Sequence, residues 1–148
     1  SDCLWVNVGF LLPDTDVVCV VMETCICILP CHEVNNAEVI HWKQGEKTVH
    51  SYYDGQEQLA EQNLRFKSRT SLVEDQRTKR RTSLQLMRVQ IQDEGEYLCY
   101  TSNVNSGPSK SFMNLQVIGK RNTRRYHTDN STGIINNNSI CEKHETSL

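Results

Sequence analysis

No apolar run in the chain approaches the roughly 20 residues a helix needs to cross a bilayer. Ser1 to Leu12 also lacks the basic stretch, apolar core and small-residue cleavage site of a secretory leader. The chain is therefore expected to carry no membrane-inserting segment of its own, with any targeting segments removed or lying outside it. Charge of one sign is missing too: 16 basic against 18 acidic residues leave a net −2, which gives no global reason to bind nucleic acid or an anionic membrane. No nucleophile, base and orienting acid converge at readable spacing, so neither catalysis nor a cofactor is expected. With 148 residues there is room for one domain and a tail, not for a second domain of similar size. Cysteine is present in excess. Seven in so short a chain point to an oxidising compartment, and the odd count leaves at least one thiol free or paired between chains.

The chain is organised around Asp93-Glu94-Gly95-Glu96-Tyr97-Leu98-Cys99-Tyr100. An acid in a turn, a glycine at the bend, then Tyr97 and Cys99 two apart and so on one strand face, resembles the tyrosine corner of immunoglobulin sandwiches. That resemblance puts the Tyr97 ring inside with its hydroxyl on nearby backbone, and sends Cys99 across to the opposite sheet. Upstream, Cys25, Cys27, Leu29 and Cys31 share one parity and one face. Cys31, with Leu29 two before it and Trp42 eleven after it, is the candidate partner of Cys99, and Cys27 is the runner-up. The remaining sulfurs are either small buried hydrophobes or a second bridge among Cys19, Cys25 and Cys27. Cys3 and Cys141 pair with each other or with another chain. A zinc site on Cys25, Cys27, Cys31 and His32 needs tetrahedral convergence, whereas alternation on a strand spreads the sulfurs by about 7 Å per step of two residues. No metal is expected.

The other segments fall around this frame. Val6 to Leu12 and Val17 to Met22, split by Pro13-Asp14-Thr15-Asp16, read as an edge strand that breaks and changes sheets. Glu38 to Lys43 alternates, with Trp42 inward to cover the disulfide and His41 outward. Thr48 to Tyr53 is a further strand, and of Tyr52 and Tyr53 one must be exposed. After the Asp54-Gly55 turn, Gln56 to Leu64 supports at most a short edge strand. Arg65 to Val73 resumes alternation. Asp93, half withdrawn from water, needs a cation; Arg69 is the choice for its bidentate fork and Arg65 the alternative. Arg77-Thr78-Lys79-Arg80 spells a proprotein cleavage pattern, but a solvated hairpin tip is the favoured reading. Leu84 and Leu86 point inward and Gln85 outward. Ser102 to Pro108 is a hairpin loop and Lys110 to Val117 the closing strand.

From Gly119 the chain turns basic and then Asn- and Ser-rich, too poor in apolar surface to offset its ordering entropy, and disorder is expected. Asn130 and Asn137 head glycosylation sequons. The expected divisions are a lead-in and edge strand over 1–16, a domain over 17–118 and a tail over 119–148.

Taken together, Cys31, Trp42, Arg69 and Asp93-x-Gly95-x-Tyr97-x-Cys99 resemble a variable-type immunoglobulin domain. Val39-Ile40-His41-Trp42-Lys43, Val49-His50-Ser51-Tyr52-Tyr53 and Arg69-Thr70-Ser71-Leu72 are similar to the B7 costimulatory-ligand family, with butyrophilins as more distant relatives. The resemblance implies an all-β sandwich of two antiparallel sheets with Greek-key connections. It also implies a non-enzymatic glycoprotein, at the external side of the plasma membrane or secreted, that binds an immunoglobulin-superfamily receptor on lymphocytes and modulates T-cell activation. By the same resemblance the contact face holds the strands around Trp42, Tyr52 and Tyr97 and the loop after Cys99, with His41, Lys43, His50, Tyr52, Tyr100, Ser102 and Asn103 as candidate contacts. The alternative is homophilic adhesion as a homodimer through the same face, or a soluble decoy. Cys19, Cys25 and Cys27 depart from the family pattern, and no second domain, spanning helix or cytoplasmic tail follows in the sequence, which reads as a fragment, a truncated product or a soluble form.

Overall fold

A computed structural model describes residues 16–21, 25–31, 36–74, 80, 82–119 and 139–141. Cys3, His32, Arg77 to Lys79, Asn130, Asn137 and the segment Val6 to Leu12 lie outside them, and with them the zinc ligand, cleavage and glycosylation readings.

Apolar alternation is realised as strands wherever turn residues release the chain: β1 (Asp16–Val20), β2 (Cys25–Leu29), β3 (Val39–Gln44), β4 (Lys47–Tyr53), β5 (Gln56–Glu57), β6 (Thr70–Val73), β7 (Ser83–Met87), β8 (Gly95–Asn103), β9 (Gly107–Ile118) and β10 (Ser139–Cys141). They form a six-stranded sheet in the order β1-β9-β8-β3-β4-β5 and a four-stranded sheet in the order β10-β2-β7-β6. The described pairings are antiparallel except β1 with β9, which run parallel, Val17 opposite Leu115. Antiparallel pairing throughout was expected. The parallel pair arises because first and last strands of the sandwich meet after the whole domain has intervened, a crossover long enough to reverse the chain direction.

Two further elements differ from the alternation pattern. Arg65 to Arg69 is not strand: Leu64–Phe66 is a 3₁₀ turn capped by the Asn63 side chain, which accepts from the Arg65 N–H at 3.0 Å. Ser68 then takes a left-handed φ of 64°, which a strand cannot accommodate, and β6 starts only at Thr70. Within the segment expected to be disordered, Ser139–Cys141 pairs with β2, placing Ile140 opposite Ile26 and Cys141 opposite Cys25. Main-chain pairing along an open sheet edge does not require the apolar content that the segment lacks.

The inner faces meet in a core of Leu29, Leu84 and Leu86 from one sheet and Val17, Ile40, Trp42, Tyr97, Met113 and Leu115 from the other, with Phe66 closing one end. Trp42 stands directly opposite Cys99 on the neighbouring strand, and its indole N–H donates to the Thr82 carbonyl at 3.0 Å. Cys31 is bonded to Cys99 and Cys19 to Cys27, so each bridge joins the two sheets. Cys25 is disulfide-bonded as well. Sulfur held in a cystine is not the thiolate that zinc takes, so Cys25, Cys27 and Cys31 supply no metal donors.

At the base of the sandwich Asp93 is fully buried, and Arg69 grips it with two bonds, Nη1 to Oδ2 at 2.8 Å and Nη2 to Oδ1 at 2.9 Å. The rest of the guanidinium donates to the carbonyls of Arg65, Met87 and Arg88. Arg65 stands farther off at 3.6 Å and is one-third exposed. The Gln90 N–H also donates to Asp93, at 2.8 Å, and the Tyr97 hydroxyl donates to the Asp93 carbonyl at 2.5 Å. Burial and the adjacent Asp93 push the Tyr97 phenol well above its ordinary pKa, so it remains a donor. Gly95 follows with φ 141°, a backbone conformation that L side chains rarely adopt, and a Cβ there would meet Gln44 Nε2 at 3.1 Å.

His50 is on the inner face and fully buried, which corrects its reading as an exposed contact. The cause is a bulge: Trp42 pairs with His50 but Lys43 pairs with Thr48, so Val49 is the extra residue, and both Val49 and His50 are withdrawn from solvent. His50 Nδ1 lies 2.8 Å from the Thr70 hydroxyl, itself held by the Gln62 amide at 2.8 Å, and Nε2 lies 3.2 Å from Glu57. A neutral ring with its proton on Nε2 satisfies both contacts. Burial lowers the His50 pKa, and Glu57 offsets this only in part.

Two outcomes follow for stability. Removing one partner of a buried pair strands the other charge, so Arg69→Ala should cost roughly 3 kcal/mol or more, while Arg65→Ala should cost less than about 1 kcal/mol. Chemical denaturation of both variants checks this, and equal losses would reject the assignment. Because the folded state holds His50 below its unfolded pKa of about 6.5, the unfolded chain takes up the proton first and stability is lost as pH falls below that value. The melting temperature should therefore rise from pH 5 to pH 7, with a shallower slope in His50→Gln.

Candidate functional site

The outer face of the six-stranded sheet is built by the residues that alternate away from the core. Taken from Trp42, Cys99 and Met113 inward, the outward set is His41 and Lys43 on β3, Leu98, Tyr100 and Ser102 on β8, and Lys110 and Phe112 on β9. Register makes them neighbours: His41 faces Tyr100, Lys43 faces Leu98, Tyr100 faces Lys110 and Leu98 faces Phe112. From β4 the outward residues are Ser51, opposite His41, and Tyr53.

The rings gather around His41. Its centroid lies 5.7 Å from Tyr53 and 6.1 Å from Tyr100, both tilted, within the range of favourable aromatic contact. Its Nδ1 is 3.0 Å from the Ser51 hydroxyl. Partial burial lowers the His41 pKa, and the nearby Lys43 ammonium lowers it further. Between β3, β4 and the turn after β5 the face opens into a cleft of about 260 Å³ lined by His41, Lys43, Thr48, Ser51, Tyr53, Gln58, Ala60 and Glu61. Phe112, at 48% exposure, forms an apolar outcrop beyond Tyr100. Among the described residues no group of three or more His, Cys, Asp or Glu side chains is placed to hold a metal ion.

Of the contact candidates, His41, Lys43, Tyr100 and Ser102 share this face. Tyr52 does not. It pairs with Ile40 and packs against the core, so Tyr53 is the tyrosine that faces out, a correction with the same cause as His50. Asn103 ends β8, where its side-chain oxygen accepts from the Asn105 N–H at 2.8 Å and the Ser106 N–H at 2.5 Å and its amide donates to the Asn36 carbonyl at 3.5 Å. Ser51, Tyr53, Leu98, Lys110 and Phe112 are the face residues that reading the sequence missed. Leu98 was recoverable from its parity with Tyr97 and Cys99. Phe112 needed the β8–β9 register, and Tyr53 needed the bulge.

Comparison with known proteins places this geometry. Residues 24–118, more than half of the chain, match the family model of the immunoglobulin V-set domain. Human HERV-H LTR-associating protein 2 is 44% identical over 75 residues, 49% of this chain and 18% of that protein. Rat V-set domain-containing T-cell activation inhibitor 1 is 36% identical over 83 residues, 55% of this chain and 28% of that protein. The chain thus spans less than a third of the length of either relative. Bovine butyrophilin superposes with a TM-score of 0.60 at 27% identity, over 72% of this chain and 52% of that one. The human B7-H4 IgV-like domain superposes with 0.57 at 26% identity, over 70% and 92%. The chain belongs to the immunoglobulin V-set domain family, and the proteins it resembles within that family include B7 and butyrophilin members.

Proposed function

We propose that this domain is a non-enzymatic ligand, at the cell surface or secreted, that lays the outer face of its six-stranded sheet on a lymphocyte receptor and so modulates T-cell activation. The observation that carries the reading is the aromatic cluster of His41, Tyr53 and Tyr100, with Phe112 beyond it, on a face that no other described element covers. Large aromatic side chains dominate the energetics of protein interfaces because they bury much area at small entropic cost. Lys43 and Lys110 form no ion pair among the described residues, and they frame the aromatic centre as steering charges. Relatives include proteins named a T-cell activation inhibitor and a programmed cell death 1 ligand, which supports an immune-modulating role for this chain.

Docking through this face requires its tyrosines. Tyr53→Ala and Tyr100→Ala should each weaken binding of the soluble domain to receptor-bearing lymphocytes by about tenfold or more, as truncation of a central aromatic does. Gln85→Ala on the opposite sheet should leave it unchanged. Flow cytometry with melting temperatures measured in parallel reads this, and undiminished binding by both tyrosine variants would remove the face from consideration.

A further inference from the structure

The cleft between His41 and Tyr53 has a chemistry of its own. At about 260 Å³ it falls below the range of roughly 300–1,000 Å³ typical of small-molecule sites. It suits one side chain entering from above, not a cofactor. Its inner wall carries polar groups without described partners. The Ser51 hydroxyl satisfies His41 Nδ1, leaving Nε2 without a partner among the described residues, and Lys43 forms no ion pair among them. Thr48 adds a hydroxyl. Glu61 is the one acid in the lining, and it lies on the exposed turn beyond β5. Lys43 stands two residues from His41 on the same face of β3, whereas Glu61 lies out on the exposed turn, so the field at the inner wall is that of the Lys43 ammonium. A cationic guest would meet that field directly. A carboxylate would complement it.

We infer that this cleft seats a single acidic side chain of a protein partner, its carboxylate held between the Lys43 ammonium and the His41 ring. The inference rests on the reading that this face docks a partner, and it names the chemistry that the partner presents: a carboxylate beside apolar or aromatic neighbours that cover Tyr53 and Tyr100. The groups facing His41 are Lys43 on its own strand, Ser51 and Tyr53 from β4, Tyr100 from β8 and Glu61 at the cleft rim. Among them Lys43 opposes protonation of the ring. An arriving carboxylate reverses this balance, so occupancy and proton uptake by His41 are linked.

The test uses the whole isotope-labelled chain and blocked tripeptides, acetyl-Tyr-Glu-Tyr-amide against its Gln and Lys counterparts, followed by NMR. The Glu peptide should shift the signals of His41, Lys43, Ser51 and Tyr53 and raise the pH at which the His41 ring titrates, and the Gln peptide should leave that titration in place. Lys43→Met should weaken the Glu peptide roughly two- to fivefold, the range of one exposed ion pair, and Glu61→Gln should tighten it. Equal shifts from all three peptides, preference for the Lys peptide, or an unmoved His41 titration would overturn the inference. Loss of cell binding in the Tyr53 and Tyr100 variants beside an indifferent peptide response would leave the docking face standing and remove only its acid preference. The converse pattern would remove the receptor reading and keep the cleft.

Discussion

The covalent tie between Cys31 and Cys99 is the constraint on which the sandwich depends. It joins residues 68 apart in sequence and on opposite layers, and closing a loop of that length withdraws about 4 kcal/mol of conformational freedom from the unfolded chain on the loop-entropy account. Cys19–Cys27, spanning only 8 residues, adds about 2.5 kcal/mol by the same account. The longer bridge also sets position. It anchors β8 beside Trp42, and β8 in turn carries Tyr97 down to the Arg69–Asp93 pair and Leu98 and Tyr100 up to the outer face. One strand therefore relays the demands of the core to the surface.

The single residue Val49 has the largest consequence for that surface. A strand with Val49 inside and no bulge would turn His50 and Tyr52 to solvent. With Val49 as the extra residue against β3, the phase slips and His50 and Tyr52 face the core instead. The buried His50 is tolerated because Thr70 and Glu57 meet both of its nitrogens. Its exchange for Tyr53 on the outside creates the aromatic wall opposite His41, and with it the cleft. A bulge beside a candidate binding site is a recurrent use of this irregularity, re-aiming side chains without altering the sheet.

Much of the frame was legible because it rests on local chemistry. The Tyr97 and Cys99 spacing, the alternation around Trp42, and the need of Asp93 for a fork-shaped cation each follow from a residue and its near neighbours. The less legible parts depend on pairing. That β1 runs parallel to β9, that Ser139–Cys141 finds an edge on β2, and that Phe66 belongs to a 3₁₀ turn are decided by partners far along the chain or by the left-handed Ser68. The site divides the same way: His41, Lys43 and Tyr100 follow from parity within a strand, whereas Tyr53 and Phe112 follow from register between strands.

By itself the sequence determined the fold class, the tyrosine corner and the residues able to occupy a buried ionic pair, since these are written in spacings of a few residues and in the cost of burying charge. Tertiary structure alone decided that Cys19 joined Cys27, which of two adjacent tyrosines met solvent, and that a histidine lay in the core. The physical reason is periodicity. A strand has two faces separated by one residue, so a single inserted residue exchanges inside for outside, and only the hydrogen-bonded partner strand settles where that insertion falls.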